Sequence, residues 1–485
     1  MINIKTDSRK VKKGDTFIAI KGNTVDGHDY IEKAIENGAS KIVCEHGSYN
    51  VETIVVPDTK EYLQKYIVDN YKDIVNKLDI IGVTGTNGKT TTCFLTYQML
   101  NKLGIKTAYI GTIGFYVENE VYELPNTTPE ITEIYSMLTT ALEKGCKAVV
   151  MEVSSHALSF KRVEGLSFTI EAFTNLTEDH LDYHKTMENY LKAKLLILDY
   201  LKDTGTIIVN NDDEYGKYFE KKNYKTIGFT KSDYEVISYE STDSGTIINF
   251  KYHEKKFSVT TNLRGKFNVY NYMTALAIIN TYGIDIQKIF DITKDVFPPK
   301  GRCEQIKVRD AEAVIDYAHT PDAVEKIINS FLENKKGKII TIVGCGGDRD
   351  PKKRPIMGNV ATQKSDYVIF TNDNPRTEDP KIIMDNIISG VHKTNYEIIF
   401  DRKEAINKGL EMLNKNDTLL ILGKGHEDYQ IIGHEKHHLD DKEIVLDYLK
   451  KIIKWYNVFV CCLYGGIGRR DRLKSRRVRF KNKLV

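Results

Sequence analysis

The chain has little cysteine, little net charge and no long apolar run. Seven cysteines are spread over 485 residues: Cys44, Cys93, Cys146, Cys303, Cys345, Cys461 and Cys462. No pair has zinc-finger spacing. A disulfide scaffold and a zinc module are excluded, and reduced thiols in a cytoplasmic protein are expected. The longest apolar stretch toward the C-terminal end, 458–464, falls far short of the ~20 residues a membrane span requires. Residues 1–15 contain no apolar core, so no export signal is read there. The formal net charge is +3, from 70 Lys and Arg against 67 Asp and Glu, which makes no case for a nucleic-acid or membrane partner. What is present is ordinary globular composition, 41% apolar and 28% charged, in a length that suits roughly two to four domains.

The small net charge averages two unlike regions. Residues 465–485 hold nine basic side chains and one acid, Asp471; without them 61 basic residues face 66 acidic ones and the body stands at −5. Arginine is scarce in that body. Residues 1–464 hold 52 Lys but only nine Arg, at 9, 162, 264, 302, 309, 349, 354, 376 and 402. Arginine presents a planar fork that grips carboxylate or phosphate through two bonds, and lysine does not. In a chain that defaults to Lys, each Arg is a site candidate. Surface solvation is the competing reading, strongest for Arg309 and Arg402.

Short apolar runs at 78–83, 148–153, 170–173, 313–315, 339–343, 367–370 and 419–422 each lead into a polar or Gly-rich cluster. Continuous runs of this length suit strands buried on both faces of a parallel sheet. Helical stretches alternate with them, such as 91–103 closed by Gly104. The pattern predicts doubly wound α/β domains, with ligands beyond the carboxyl ends of the strands. Seven such clusters suggest two facing α/β domains with a cleft between them. We place a small α/β domain at 1–79, a central domain at 80–298, a third at 299–454 and an atypical, disordered basic tail at 455–485. Residues 297–301, Phe-Pro-Pro-Lys-Gly, form the hinge-like linker.

The strongest local signal is Thr84, Gly85, Thr86, Asn87, Gly88, Lys89, Thr90, set between a strand and a helix. Small residues let backbone N–H groups wrap phosphate oxygens, and the helix start adds positive potential. Lys89 would hold the β- and γ-phosphates and the Thr90 hydroxyl a Mg²⁺ ion. The usual loop has a glycine where this one has Val83, and a tight strand–helix turn is the blander reading. Glu152, at a strand end, and His180, in a polar loop, read equally well as metal ligands or as local hydrogen-bonding groups. Lys194, on a probable helix, reads from the residues alone as a solvated lysine.

The variant loop, with Asn126-Thr127-Thr128-Pro129, Glu152-Val-Ser-Ser-His, the 175–184 stretch Asn-Leu-Thr-Glu-Asp-His-Leu-Asp-Tyr-His, Asp316-Tyr-Ala-His-Thr-Pro and Asp373-Asn374-Pro375-Arg376, resembles the Mur ligase family over about residues 3–450. These are ATP-dependent ligases of cell-wall precursor synthesis, related to the folate polyglutamylation enzymes. The motif set is similar to the diaminopimelate-adding type. The resemblance implies a three-domain α/β fold, with a central P-loop ATPase-like parallel-sheet domain and a Rossmann-like C-terminal domain. It implies a cytoplasmic, monomeric enzyme of peptidoglycan synthesis. That enzyme would join meso-diaminopimelate to the D-glutamate side chain of UDP-N-acetylmuramoyl-L-alanyl-D-glutamate through an acyl phosphate.

The resemblance also implies roles for residues. Lys89, Glu152, His180 and Lys194 are catalytic. Thr84 to Thr90 with Asn271, Arg302 and Asp316 surround ATP. Thr90 and Glu152 hold one Mg²⁺, and His180 and Lys194, the latter as a CO₂-derived carbamate, hold a second. Ser8 meets the uridine end; Asn126, Thr127, Thr128, Ser154 and Arg162 meet the diphosphate and peptide. Arg349, Asp373, Asn374, Pro375, Arg376, Gly423 and Glu427 read diaminopimelate, whose distal carboxylate suits an Arg fork. His319 is expected to be structural or phosphate-side rather than a general base. Phe160 stands where some relatives have a polar residue, and nothing is carried onto it. Sibling ligases that add L-lysine or extend folate are the alternatives, as is a non-enzymatic nucleotide switch. The tail reads as read-through or fusion, or else as a nucleic-acid or anionic-membrane tether.

Overall fold

The computed structural model describes residues 3–22, 25–221, 223–242 and 245–464, with side chains to 452. Two compact units result. The first comprises residues up to Glu304 together with Tyr317–Lys335; the second comprises Gln305–Asp316 and the chain from Lys336 onward.

In the first unit a four-stranded parallel sheet (Ile4–Lys5, Thr16–Ile18, Lys41–Cys44, Glu52–Val55) precedes an eleven-stranded sheet. The middle of the large sheet is parallel. Asp79–Thr84 lies between Phe168–Phe173 and Ala148–Glu152, and the strands become antiparallel hairpins toward both edges. Ile80, Ile81 and Val83 are fully buried, as expected of a strand covered on both faces. One apolar cluster runs from Ile4, Ile18 and Val43 through Leu63 and Ile67 to Ile80 and Met151. The limit expected at residue 79 therefore falls inside a continuous core.

The second unit holds a six-stranded sheet in the order Glu304–Val308, Ala311–Asp316, Thr418–Leu422, Ile339–Val343, Tyr367–Phe370, Tyr396–Ile398. Its five last strands pair in parallel. A separate antiparallel hairpin, Tyr429–Ile432 with Glu435–His438, follows. The last helix, Asp441–Tyr464, extends ten residues into the stretch expected as a disordered tail. Gly465 and Gly466 come next in the sequence. The basic residues 465–485 lie outside the described residues. Among the described residues no helix is long and apolar enough to cross a membrane.

All seven apolar runs noted above became strands, and all seven lie in the parallel parts of the two large sheets. The expected helix at 91–103 starts two residues earlier, as Lys89–Lys102, because Gly88 with φ +87° turns the chain directly into it.

Candidate functional site

The loop after Asp79–Thr84 is built by glycines that admit no side chain. A Cβ on Gly85 (φ +145°) would lie 1.9 Å from Thr174 Oγ1, and one on Gly88 would lie 2.3 Å from Asn271 Oδ1. Asn87 donates its backbone N–H to Asn175 Oδ1 (2.9 Å) and its side-chain amide to Asp322 Oδ2 (3.1 Å). Thr86 Oγ1 accepts from Thr177 N (3.0 Å), and Thr84 is the buried strand-end residue. Asn271 is buried and donates to Asn268 Oδ1. The wall of the loop is thus the segment 174–177, predicted as a motif but not as a wall.

Two lysine amines converge on one carbonyl. Half-buried Lys89 donates to Gly85 O and Thr86 O, both at 2.8 Å. Lys194, 1% exposed, donates to Gly85 O at 2.7 Å and sits over the Tyr190 ring. Neither makes an ion pair with a carboxylate among the described residues. Burial pushes the Lys194 amine well below the usual lysine range, and the Lys89 charge adds to this. Lys89 is also lowered, by desolvation first, with Glu152 opposing. The solvated helix lysine expected at 194 is therefore corrected. Helix Met187–Leu195 turns that side chain inward, while Lys192 points out and pairs with Glu188.

Glu152 is fully buried and surrounded by neutral donors. Tyr109 OH (2.6 Å) and Thr112 N (2.8 Å) donate to Oε1, and the Thr90 hydroxyl donates to Oε2 (2.9 Å). Arg302 reaches Thr90 Oγ1 at 3.3 Å while stacking on Tyr317. A buried carboxylate beside a loop threonine hydroxyl is a hard oxygen pair that fits Mg²⁺. His180, at φ +55°, starts the short helix Leu181–His184. Its imidazole is held below the usual histidine range by desolvation and by His156, Lys89 and Lys194, against Asp179, although 46% of the side chain faces solvent. His184 is buried, bonded to Ser155 Oγ (2.9 Å), and pushed down to about 4 by desolvation and His156. Among the described residues no three His, Cys, Asp or Glu side chains converge as a metal cluster.

The residues expected at the peptide and diphosphate lie close to Glu152. Thr128 Oγ1 donates to Glu152 O (2.8 Å) and accepts from Ser154 N, and Thr127 Oγ1 contacts Thr112 Oγ1. Ser154 also caps the helix Ser155–Ser159. Arg162 binds Thr128 O and pairs with Glu130 (2.6 Å). Asn126 lines a cavity of about 610 Å³ with Asp7, Lys10, Glu130 and Glu133. Ser8 is buried in a single turn, its carbonyl bound by Asn37. Exposed Phe160 packs near His156 and Tyr183.

In the second unit the turn after Tyr367–Phe370 is clamped to the hairpin. Arg376 (φ +53°) donates its N–H to Ile431 O, and its carbonyl accepts from Gly433. Pro375 precedes it and is buried. The Arg376 guanidinium donates to Gly347 O at 2.8 Å. Gln430 binds Asp373 O, and a Cβ on Gly423 (φ +113°) would stand 2.6 Å from Asp373 Oδ2. Asn374 is buried: its amide donates to Glu427 Oε2 (2.9 Å), and its Oδ1 accepts from Ile431 N (2.9 Å) and Lys424 Nζ (3.1 Å). Arg349 is exposed on the loop beside Asp348. Asp316 ends its strand in this unit, its carbonyl binding Gly423 N. His319, in the first unit, turns its ring back on Tyr317 O.

Three Mur ligase family regions match the chain: the family's catalytic domain at residues 2–74, its middle domain at 83–279 and its glutamate ligase domain at 301–425. The chain belongs to the Mur ligase family. It is 41% identical over 460 residues to a UDP-N-acetylmuramoyl-L-alanyl-D-glutamate–2,6-diaminopimelate ligase of Clostridium acetobutylicum, covering 93% of this chain and 95% of that one. It is 43% identical over 457 residues to the ligase of the same name in Fusobacterium nucleatum, covering 91% and 92%. A solved structure of a ligase of that name aligns with TM-score 0.65 at 31% identity, over 93% of this chain and 95% of that one.

Within this Mur ligase fold, several residues escaped the sequence. Tyr109 and Thr112 orient Glu152, yet an apolar strand tyrosine carries no signal of that role. Lys424 sits inside the predicted Gly423–Glu427 cluster, where nothing local distinguishes it from the other lysines. Arg402, expected on the surface, is fully buried. It forms a two-bond pair with Asp441 (2.8 and 2.7 Å) and donates to Leu422 O. That pairing compensates the charge, which surface solvation otherwise would. Arg354 is likewise buried against Glu378, whereas Arg309 is exposed and touches Tyr448.

Proposed function

We propose that this chain joins meso-diaminopimelate to the D-glutamate side chain of UDP-N-acetylmuramoyl-L-alanyl-D-glutamate, with ATP cleaved to ADP and phosphate. The observation that carries the reading is the name shared by relatives about 40% identical over more than nine-tenths of both chains. The ATP γ-phosphoryl passes to the D-glutamate carboxylate, and the diaminopimelate amine attacks the acyl phosphate and expels phosphate. Phosphoryl transfer asks the protein for positioning and charge neutralisation more than for covalent chemistry. Lys89 supplies charge, and the wrapped loop from Gly85 to Thr90 supplies backbone donors. Mg²⁺ at Thr90 and Glu152 would neutralise the phosphates; Tyr109 and Thr112 fix the carboxylate that holds it.

Lys194 is read as the carbamylated residue, with His180 alongside it at a second Mg²⁺. Its support is the buried amine lowered below the usual range, since only a neutral amine captures CO₂. Residues 1–79 would hold the uridine end, 80–298 ATP, and 299–454 the amino acid, where the Arg376 fork meets the distal carboxylate. The enzyme would work as a cytoplasmic monomer.

The test offers meso-diaminopimelate and L-lysine together, with ATP, Mg²⁺ and the UDP-dipeptide. The expected product carries diaminopimelate. Preferential lysine addition would reassign the chain to the sibling reaction. For Lys194, a Lys194→Ala variant should lose roughly 10²-fold in rate and regain part of it with short carboxylic acids. Wild-type rates in that variant would refute the carbamate.

A further inference from the structure

We infer that Lys424 is the positioning residue that makes Glu427 a reader of the distal amine of the incoming amino acid. The inference deepens the proposed reaction and rests on it. Lys424 is 0% exposed, in a stretch between the strand Thr418–Leu422 and the hairpin, with its ammonium 3.1 Å from Asn374 Oδ1 and 3.2 Å from Glu427 Oε2. Its ammonium also lies over the Tyr429 ring, 5.4 Å from the centroid. Burying a lysine this deeply costs least where a carboxylate and dipoles face it, and both are present here.

The arrangement has a direction. Lys424 and Ile431 N are donors only, so the oxygen of the Asn374 amide must face them and its nitrogen must face Glu427. Both donors to Glu427, Asn374 Nδ2 and Lys424 Nζ, reach the same oxygen, Oε2. No described donor reaches Oε1, and the Glu427 side chain keeps 15% exposure. One carboxylate oxygen is therefore tied down by the protein and the other is left to accept from a ligand ammonium. Asn374 has its acceptor end filled by Lys424 and Ile431, so it serves mainly to hold Glu427. The fork of Arg376, anchored on Gly347 O, stands on the same turn and would take the neighbouring carboxylate.

Lys424 thus acts on amine recognition alone. The probe pair is meso-diaminopimelate and L-2-aminopimelate, which keeps the distal carboxylate and lacks the distal amine. In Lys424→Met, kcat/KM for diaminopimelate should fall about tenfold or more through KM, while that for 2-aminopimelate and the KM for ATP stay within about threefold. Lys424→Gln, which retains one donor toward Asn374, is measured beside it and should show a smaller loss of the same selectivity. Should the Met variant fail to fold, the Gln variant decides. Equal losses with both amino acids would make Lys424 a packing residue and overturn the inference, as would unchanged selectivity. Wild-type enzyme inactive with diaminopimelate would overturn the proposed reaction itself, so the two failures are distinct.

Discussion

Buried ionisable side chains are treated in opposite ways in the two units. In the first, Lys194 and the ammonium of Lys89 lean on backbone carbonyls with no carboxylate paired to them, and Glu171 is buried with both oxygens unpartnered among the described residues. In the second, every one of Lys424, Arg354 and Arg402 faces a carboxylate within 3.2 Å. A site that receives polyphosphate gains from the Lys89 charge left uncompensated, because the ligand supplies the missing anions. A site that reads an amino acid carrying both signs gains from fixed rotamers, which paired charges provide. The first unit keeps electrostatic energy in reserve, and the second uses it for geometry.

Four measurements would break or sharpen this contrast. Removing the unpaired charge should cost function and little stability: Lys89→Met is expected to lower kcat by about 10³-fold with an unchanged or higher Tm. Removing half of a compensated pair should do the reverse. Asp441→Ala is expected to cost about 3–5 kcal/mol in denaturant unfolding, because it strands the Arg402 guanidinium in the interior. Intact stability there would erase the distinction.

The third concerns Glu171, whose carboxyl is pushed up to about 9 by desolvation. A carboxyl raised on folding holds its proton while the unfolded chain releases it, so its contribution is present at low pH. That contribution is lost as pH rises from the unfolded value toward 9. Glu171→Gln should therefore gain on wild type by about 3 kcal/mol between pH 5.5 and 7.5, read by urea unfolding. A constant difference across that range would mean that Glu171 has a partner after all. The smallest effect is Arg376→Lys, expected to lower kcat/KM for diaminopimelate about 10- to 100-fold without changing the KM for ATP. An equal rise in the KM for diaminopimelate and the KM for ATP would show that the turn, rather than the fork, was damaged.

Much of the scaffold was legible. The apolar runs at 78–83 and 339–343 are contiguous in sequence and buried on both faces, so local pattern and tertiary role coincide. The loop from Gly85 to Thr90 was readable because its glycines answer a backbone need that is local. The limit placed at 79 falls between the matched family regions 2–74 and 83–279, while the core cluster that joins Ile18 and Val43 to Ile80 across it is invisible in composition. The basic tail looked separate from 455, whereas the last helix runs through to Tyr464. Arg402 shows the weakness of counting residue types: scarcity marked it as special, yet only Asp441 reveals that its purpose is structural.

The sequence by itself determined the family, the strand–loop–helix units and the residues able to bind phosphate or carboxylate, because those depend on spacing within a few residues. Tertiary structure decided the state of each charged group. Lys192 and Lys194 are two residues apart on one helix; one is solvated and the other buried beside Lys89. Lys424 differs from dozens of other lysines only in what folds around it. Charge is written residue by residue, but its energy depends on solvent and counter-ions, and both are set by parts of the chain that are distant in sequence.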